Sequence, residues 1–450
     1  MNLKRYKIHY GIILRLGGPI ILGQLGNVIL GFIDTIMVGN YNANALASAG
    51  FVNNIFNLAI VAMLGFSFCA TPVIGAYYGR KEHDKAAGAF KDTIWANILF
   101  GAIVMAAYIL LYINIDNLGQ PKELLPMIRP YFMTLLLSLP TVIIFNSLKQ
   151  FTDTVGATQT AMWIILISNF TNIILNYLLI FGAGGFPELG LTGAGIATLI
   201  SRIFGLIIFW AMIAKQKKFR IYKRAFKSHS TSRKDIKQLF AIGTPLALQM
   251  GTETASFSLA SLLMGWLGTV ELAAFQVLTI TGSICFMIYY GIGAAASIRI
   301  SHYRGRNEWE SVGETANASL HIILFVATVL SIIIALLKDK LAGIFTNDAE
   351  IQNMFAILII PMLAYQISDG IQTNYANTLR GIQVTKPLSI YAIISYICLA
   401  LPTSYILGFP CALGAEGVAY GLPVGLTVAA ILYYRRFNKE ILKQLAQKRG

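Results

Sequence analysis

Long apolar segments, separated by short polar loops, constrain the fold of this chain more than any other feature. A helix that crosses a bilayer needs about 20 mostly apolar residues. Strands of a membrane barrel would instead alternate apolar and polar residues over about ten positions, and these uniform runs do not alternate. We therefore predict an all-α integral membrane protein with about twelve transmembrane helices, at residues 12–37, 52–78, 90–113, 126–150, 160–181, 192–214, 238–265, 273–300, 317–337, 352–376, 388–407 and 416–435.

The charged residues are few and unevenly distributed. Only 12% of residues are charged, roughly half the fraction of a soluble domain. The net charge of +15 does not indicate nucleic-acid binding, because the basic residues collect in alternate loops. By the positive-inside rule, both termini and all even-numbered loops are cytoplasmic. The basic side carries Lys4, Arg5, Lys7, Arg80, Lys81, Lys85, Arg304, Arg306, Arg380, Lys386 and the stretches 215–238 and 433–449, and the other side little beyond Lys122, Lys338 and Lys340.

The second half of the chain repeats the first. Pro19 corresponds to Pro245, 226 residues further along, and Gly39 corresponds to Gly265 at the same offset. Because each half has an even number of spans, the two halves enter the membrane in the same orientation and are related by a pseudo-two-fold axis along the membrane normal. This plan is typical of transporters, although duplication can also simply enlarge a bundle. The predicted divisions are an N-terminal lobe at 1–214, a basic cytoplasmic linker at 215–237 and a C-terminal lobe with a basic tail at 238–450.

Three carboxylic acids lie well inside the predicted spans: Asp34, Glu253 and Asp369. A charge at the bilayer centre costs about 3 kcal/mol even on lenient scales, so such residues are functional candidates. Other hard oxygen donors accompany them, and Asn172 and Asn176 share one helix face because they are four residues apart. Such sets suit a proton or Na⁺ rather than zinc, which prefers His or Cys. The residues do not distinguish the two ions, and any single acid can also be a structural hydrogen-bonding group.

The sequence lacks the motifs that several other classes of function require. No phosphate-binding G-x-x-x-x-G-K-[ST] loop is present, so transport against a gradient must use an ion gradient rather than ATP. The five histidines lie in loops or near span ends and offer no base to a buried acid, so we do not expect an enzyme. The four cysteines have neither metal nor disulfide spacing. No cofactor is expected beyond the coupling ion.

Four motifs together resemble one transporter family. They are "GGPIILGQ…FIDTIMVGN…ALASAG", "NIILNYLLIFG", "TPLALQMGTE" and "ISDGIQTNYANTLRGIQVTKP", and the similarity extends from about residue 10 to residue 435. The chain resembles the multidrug and toxic compound extrusion (MATE) family, in particular its bacterial NorM-like branch. The resemblance implies a monomeric antiporter of the bacterial inner membrane, with two six-helix lobes, that exports cationic or amphipathic compounds in exchange for Na⁺ or H⁺.

The resemblance also implies two cation sites. The first-lobe site falls on Asp34, Asn172, Asn176 and Thr198, and the second-lobe site, with Na⁺ at its two acids, falls on Glu253, Tyr365 and Asp369. Some relatives have Asp where this chain has Asn176, which leaves its first site with one carboxylate. The presence of both Glu253 and Asp369 favours the NorM-like branch over the DinF-like one.

A flippase for lipid-linked sugars or other lipid intermediates, from the same superfamily, is the alternative function. A flippase for anionic lipids would line its cleft with Arg or Lys, whereas the deep charges here are expected to be acidic and to favour cationic cargo.

We also expect contacts with membrane lipids. Four residues of span 8, Phe286, Met287, Tyr289 and Tyr290, either contact cargo through cation–π and sulfur contacts or only pack against helices and lipid.

Overall fold

The computed structural model describes residues 6–346 and 348–449 of the 450-residue chain, and all regular secondary structure in these ranges is helical. Lys4 and Arg5, which belong to the predicted basic N-terminus, lie outside the described residues. The helices are α1 (Lys7–Tyr41), α2 (Ala43–Ser67), α3 (Ala70–Gly79), α4 (His83–Ile113), α5 (Leu125–Thr154), α6 (Thr158–Phe181), α7 (Gly190–Lys215), α8 (Lys217–Ser228), α9 (Arg233–Leu267), α10 (Thr269–Gly305), α11 (Trp309–Phe345), α12 (Ala349–Gly381), α13 (Lys386–Ala392), α14 (Leu401–Gly408) and α15 (Gly414–Arg449), with a π-helical stretch at Ile393–Ala400 joining α13 to α14.

The membrane-spanning character of these helices is confirmed. Each predicted span falls within one helix or one continuous helical run, and eleven runs of the described chain are long and apolar enough to cross a membrane. The remaining predicted span lies in α9, which is 35 residues long but contains Gln249, Thr252, Glu253 and Thr254 near its middle. Large apolar side chains are exposed on α11, for example Phe325 at 71% and Leu336 at 78%. Such apolar surface is suited to contact with lipid.

The described chain forms two compact units. We name the first unit, Leu22–Ala247, the N-unit. The second unit, the C-unit, combines the described residues up to Ile21 with those from Leu248 onwards. In the N-unit, Phe56 packs edge-on against Tyr108 and Phe132, with ring centroids 5.2 and 4.8 Å apart. In the C-unit, Tyr375 of α12 packs against Tyr434 and Phe437 of α15, at 5.2 and 5.5 Å.

Two helices pass from one unit to the other at equivalent points of the repeat. α1 leaves the C-unit after Ile21, and α9 leaves the N-unit after Ala247, so the two crossing points are 226 residues apart. A proline lies two residues before each crossing, Pro19 in α1 and Pro245 in α9. Because proline removes one backbone hydrogen bond of the helix, each crossing lies next to a weakened turn.

Glycines allow the first part of each crossing helix to pack closely within its unit. In the N-unit, a Cβ on Gly65 of α2 would lie 2.9 Å from the backbone of Leu246 and Ala247 in α9. In the C-unit, a Cβ on Gly291 of α10 would lie 3.1 Å from the backbone nitrogen of Ile21 in α1. Gly65 and Gly291 are repeat equivalents, as are Ala247 and Ile21. Small residues that let helix backbones approach are the usual basis of helix association in membranes.

The basic segment after α7 contains the 12-residue helix α8. Phe219 and Tyr222 are buried against the N-unit core around Phe90 and Phe151. Burial raises the pKa of the Tyr222 hydroxyl above its ordinary value, so this group stays protonated and lies 3.3 Å from His83 Nδ1. The basic side chains of α8 lie on its exposed face.

Candidate functional site

The first polar cluster lies inside the N-unit and joins α1, α6 and α7. We name it the Asp34 cluster: Asp34, Asn172, Asn176, Thr198 and Ser201. Asn176 Nδ2 donates to Asp34 Oδ1 at 2.6 Å and to Asn172 Oδ1 at 3.0 Å. Asn172 Nδ2 lies 3.4 Å from Thr198 Oγ1 and 3.2 Å from Ser201 Oγ. A continuous chain of hydrogen bonds therefore runs from the Asp34 carboxylate to α7.

The Asn172 side-chain amide forms better hydrogen bonds when it is rotated by 180°, so that its oxygen and nitrogen exchange positions. Its Nδ2 then donates to Asp34 Oδ1 at 3.1 Å, and its Oδ1 accepts from Ser201 Oγ at 3.2 Å. In this orientation the carboxylate accepts from both asparagines. In either orientation the partners of Asp34 are neutral amides.

The structure brings together all four residues that the sequence places in the first site. Asn172 and Asn176 are buried, at 2% and 1% exposure, whereas Asp34 is partly exposed. Ser201 was not predicted, although its position three residues after Thr198 puts it on the same face of α7.

A cavity of about 650 Å³ within the N-unit opens beside this cluster. Its size is within the range typical of small-molecule sites. Asp34, Thr198 and Ser201 line it, and most of the other polar lining residues are asparagines: Asn27, Asn53, Asn54, Asn57, Asn146, Asn169 and Asn172. The cavity wall is therefore rich in neutral hydrogen-bonding groups.

Arg202 also lines this cavity, so the expectation that the deep charges are all acidic is wrong. Its Nη1 donates to Ser138 Oγ of α5 at 2.6 Å. Arg202 and Asp34 interact electrostatically, but no ion pair within 4.0 Å joins them in the described structure. The signal in the sequence was an arginine inside an apolar span, one helical turn after Thr198.

The second cluster lies in the C-unit around Glu253 of α9. Gln249 Nε2 donates to Glu253 Oε2 at 3.0 Å, and Gln372 Nε2 of α12 donates to Glu253 Oε1 at 3.0 Å. Gln372 Nε2 also lies 2.6 Å from Tyr396 Oη, which the π-helical stretch carries. We name these four residues the Glu253 cluster. The sequence did not predict the two glutamines, although Gln249 is one helical turn before Glu253.

Asp369 and Tyr365 lie one turn apart on α12 and are both buried. Asp369 is close enough to Glu253 and to Tyr365 for electrostatic interaction. The Tyr365 hydroxyl lies 2.8 Å from the position that a Cβ on Gly282 would occupy, so this glycine makes room for it. The structure therefore brings together the three residues predicted for the second site.

The four aromatic and methionine residues predicted for a substrate cleft lie on α10 in the C-unit. Tyr289 is buried and its hydroxyl donates to Gln366 Oε1 at 2.8 Å. Tyr290 is buried too, with its ring 6.1 Å from that of Phe286. Phe286 and Met287 are partly exposed. Contact of these residues with cargo stays a prediction.

The chemistry of both clusters is that of carboxylates surrounded by neutral donors. In the described structure no Lys, Arg or His nitrogen forms a salt bridge with Asp34, Glu253 or Asp369. Nor do the described residues contain a group of three or more His, Cys, Asp and Glu side chains suited to a metal ion. Carboxylate, amide and hydroxyl oxygens are the donors that a hard monovalent cation prefers. A proton is the other partner that these carboxylates can take.

Comparison with known proteins gives a consistent result. The MatE family model matches residues 19–178 and 245–406. "Probable multidrug resistance protein NorM" of Bradyrhizobium diazoefficiens is 29% identical over 429 residues, which are 94% of this chain and 92% of that protein. "Multidrug resistance protein NorM" of Vibrio cholerae serotype O1 is 28% identical over 444 residues, 96% of each chain.

A solved structure described as "Outward-facing conformation of a multidrug resistance MATE family transporter of the MOP superfamily" has the same fold. The TM-score is 0.87 at 19% identity, over 97% of this chain and 96% of that one.

A helical, multi-pass membrane chain built from two repeats, with carboxylate clusters between its helices, has the plan of a membrane transporter. The family model covers well over half of the chain, so this transporter belongs to the MatE family, the multidrug and toxic compound extrusion transporters. Its curated relatives confirm the NorM-like branch.

Proposed function

We propose that this transporter is an antiporter that exports cationic or amphipathic drugs and toxic compounds by alternating access, in exchange for Na⁺ or H⁺. The printed names of its relatives, multidrug resistance proteins, support the class of cargo. The observation that carries the coupling is the presence in each unit of a carboxylate inside a helix bundle, held by amides rather than by a basic residue.

Amide partners suit a site that must bind and release an ion. A basic partner would hold a carboxylate in a strong, charge-assisted bond, whereas a neutral amide can turn away when an ion arrives. Glu253 and Asp369 lie near each other, and two adjacent carboxylates attract a cation or share a proton. We assign ion coupling to Glu253, Tyr365 and Asp369, and a cargo or proton site to Asp34, Asn172, Asn176 and Thr198.

The proposal includes the placement of the protein in the cell. We propose that it is a monomer in the bacterial inner membrane with both termini in the cytoplasm. The basic loops and tail support this orientation by the positive-inside rule. The lobes at 1–214 and 238–450 and the linker at 215–237 remain the proposed divisions.

Efflux of ethidium from proteoliposomes, with Na⁺ and pH gradients imposed separately, tests the function. We expect one gradient to drive efflux in the wild type. Asp34→Asn, Glu253→Gln and Asp369→Asn should each insert normally and lose at least about 90% of coupled efflux, since a neutral amide can neither bind the cation tightly nor release a proton. Glu123→Gln, in an exposed loop, is the matched control and should behave as the wild type.

The outcomes separate two functions. Wild-type efflux in all three neutral variants would refute the site assignment. Absence of efflux in folded wild-type protein under both gradients would instead favour the second candidate, a flippase for an anionic lipid intermediate. The one observation that favours a flippase is the basic residue Arg202 in the N-unit cavity.

A further inference from the structure

Arg202 is held in the N-unit cavity with most of its hydrogen-bonding capacity unused. A guanidinium has five N–H donors, and its only hydrogen bond within the described chain is the 2.6 Å bond to Ser138 Oγ. Ser138 is itself fully buried and donates to Leu135 O, so its hydroxyl oxygen faces Arg202 in a fixed position. The remaining donors of Arg202 are therefore available on the side of the cavity.

Asp34 faces the same cavity without a basic partner. Its only hydrogen-bonding partners in the described structure are the Asn172 and Asn176 amides. The two opposite charges share one space of about 650 Å³ and are more than 4.0 Å apart. An arginine that served only as a counter-ion to Asp34 would be expected to contact it, because a partly desolvated charge is stabilised most by direct pairing.

The rest of the cavity wall is neutral, so the two charges set the electrostatic character of a ligand. Arginine binds a carboxylate through two parallel N–H···O bonds, and a carboxylate such as Asp34 attracts a cationic group. A ligand that carries both a carboxylate and a cationic group would form favourable contacts with both Arg202 and Asp34. A purely cationic ligand would meet repulsion from Arg202.

We propose that Arg202 binds a carboxylate of the cargo, so that the N-unit cavity binds zwitterions, with their cationic end towards Asp34, more tightly than simple cations. This inference rests on the proposed export function and narrows its class of cargo. Ser138 is a positioning residue, because it acts only by orienting the guanidinium.

Two dyes with the same cationic ring system test the selectivity. Rhodamine 110 carries a free carboxylate and is a zwitterion, whereas rhodamine 123 is its methyl ester and is a cation. Binding of each dye to the purified protein is measured by fluorescence polarisation, and efflux of each from proteoliposomes is measured in parallel. The variants are Arg202→Gln, Arg202→Lys and Ser138→Ala, and Arg129→Gln is the matched control at a partly exposed arginine paired with Asp116 outside the cavity.

We expect Arg202→Gln to weaken rhodamine 110 binding at least about tenfold, the loss typical of a charge-assisted hydrogen bond. Its affinity for rhodamine 123 should be unchanged or higher, since a repulsive charge is removed. Arg202→Lys should retain part of the preference, because it keeps the charge without the two-pronged geometry. Ser138→Ala should weaken rhodamine 110 binding by a smaller factor, and Arg129→Gln should alter neither dye.

Other results overturn the inference in distinguishable ways. If Arg202→Gln and Arg202→Lys change both dyes equally, or neither, Arg202 does not bind the carboxylate. If the wild type binds and exports rhodamine 123 but not rhodamine 110, the cavity excludes carboxylates while the export function stands. If the folded wild type exports neither dye nor ethidium, the export function fails together with the inference. If Arg202→Gln does not fold, Ser138→Ala and Arg202→Lys test the inference instead. A smaller preference for rhodamine 110 over rhodamine 123 than in the wild type would support binding of the carboxylate by Arg202, and an unchanged preference would refute it.

Discussion

Asn176 is a neutral residue beside Asp34, and it leaves the Asp34 cluster with a single carboxylate. Its amide donates to Asp34 Oδ1 at 2.6 Å, so one carboxylate has a neutral neighbour at hydrogen-bonding distance. Replacing that amide with a carboxylate would leave the geometry nearly unchanged and add one negative charge. Two adjacent carboxylates repel each other unless a cation or a proton lies between them.

We therefore expect Asn176→Asp to bind Na⁺ at least about tenfold more tightly at the Asp34 cluster, a difference of about 1.4 kcal/mol. The measurement is the rise in melting temperature with Na⁺, with choline as the reference cation, since binding to the folded state stabilises it. Asn169→Asp is the control, because Asn169 lines the same cavity but bonds to Asn27. An equal response to Na⁺ in the wild type and both variants would show that a second carboxylate beside Asp34 does not create a Na⁺ site.

At the scale of single residues, the sequence predicted acids better than their partners. Asp34, Glu253 and Asp369 stand out because a carboxylate inside an apolar span is rare. Gln372 and Arg202 were missed because their importance depends on which helix they face. The spacing within one helix is visible in the sequence, but the contact of Gln372 with Glu253 joins residues 119 positions apart.

At the scale of helices, the glycine contacts of the crossing helices make a specific prediction. A Cβ on Gly65 would lie 2.9 Å from backbone atoms of α9, which cannot move aside as a flexible side chain would. Gly65→Ala should therefore lower the free energy of unfolding by about 1–3 kcal/mol. The measurement is thermal unfolding of the purified protein in detergent.

Gly50→Ala provides the matched control in the same helix. Nothing lies within 4 Å of the position of its Cβ, so this change should leave stability unchanged or raise it by up to about 1 kcal/mol through higher helix propensity. Gly291→Ala, the repeat equivalent of Gly65→Ala, should destabilise the protein like Gly65→Ala. Equal melting temperatures for Gly65→Ala and Gly50→Ala would show that α2 and α9 do not pack this closely.

The positions of the spanning helices followed from hydropathy, but two features of the helices did not. The segment 215–237 appeared only as a basic linker, because the apolar residues Phe219 and Tyr222 are too few to stand out among its lysines and arginines. The π-helical stretch Ile393–Ala400 has the composition of an ordinary apolar helix. Its wider turn precedes Pro402, which cannot donate a backbone hydrogen bond.

At the scale of the whole molecule, neither half of the chain contains a complete unit. The N-unit includes the first part of α9, and the C-unit includes the first part of α1. A chain divided between residues 230 and 231 should therefore yield two fragments that need each other. We expect fragments 1–230 and 231–450, expressed together, to purify as a complex that exports ethidium, and each fragment alone to be degraded or insoluble.

The comparison is made by affinity purification through a tag on one fragment only, with the unbroken chain as reference. Fragment 1–230 would lack the α9 backbone that packs on Gly65 and Phe66. Accumulation of this fragment alone, in amount and melting temperature equal to the complex, would contradict the need for α9 in the N-unit.

The sequence by itself determined that this is an all-α membrane protein of two repeats, because span length, apolar composition and the repeat offset are local or periodic properties of the chain. It also indicated which acids lie inside the spans. Only the tertiary structure decided that α1 and α9 each divide between the units and that Arg202 shares a cavity with Asp34. These features depend on contacts between distant helices, and such contacts are determined by backbone packing, which no local pattern in the sequence records.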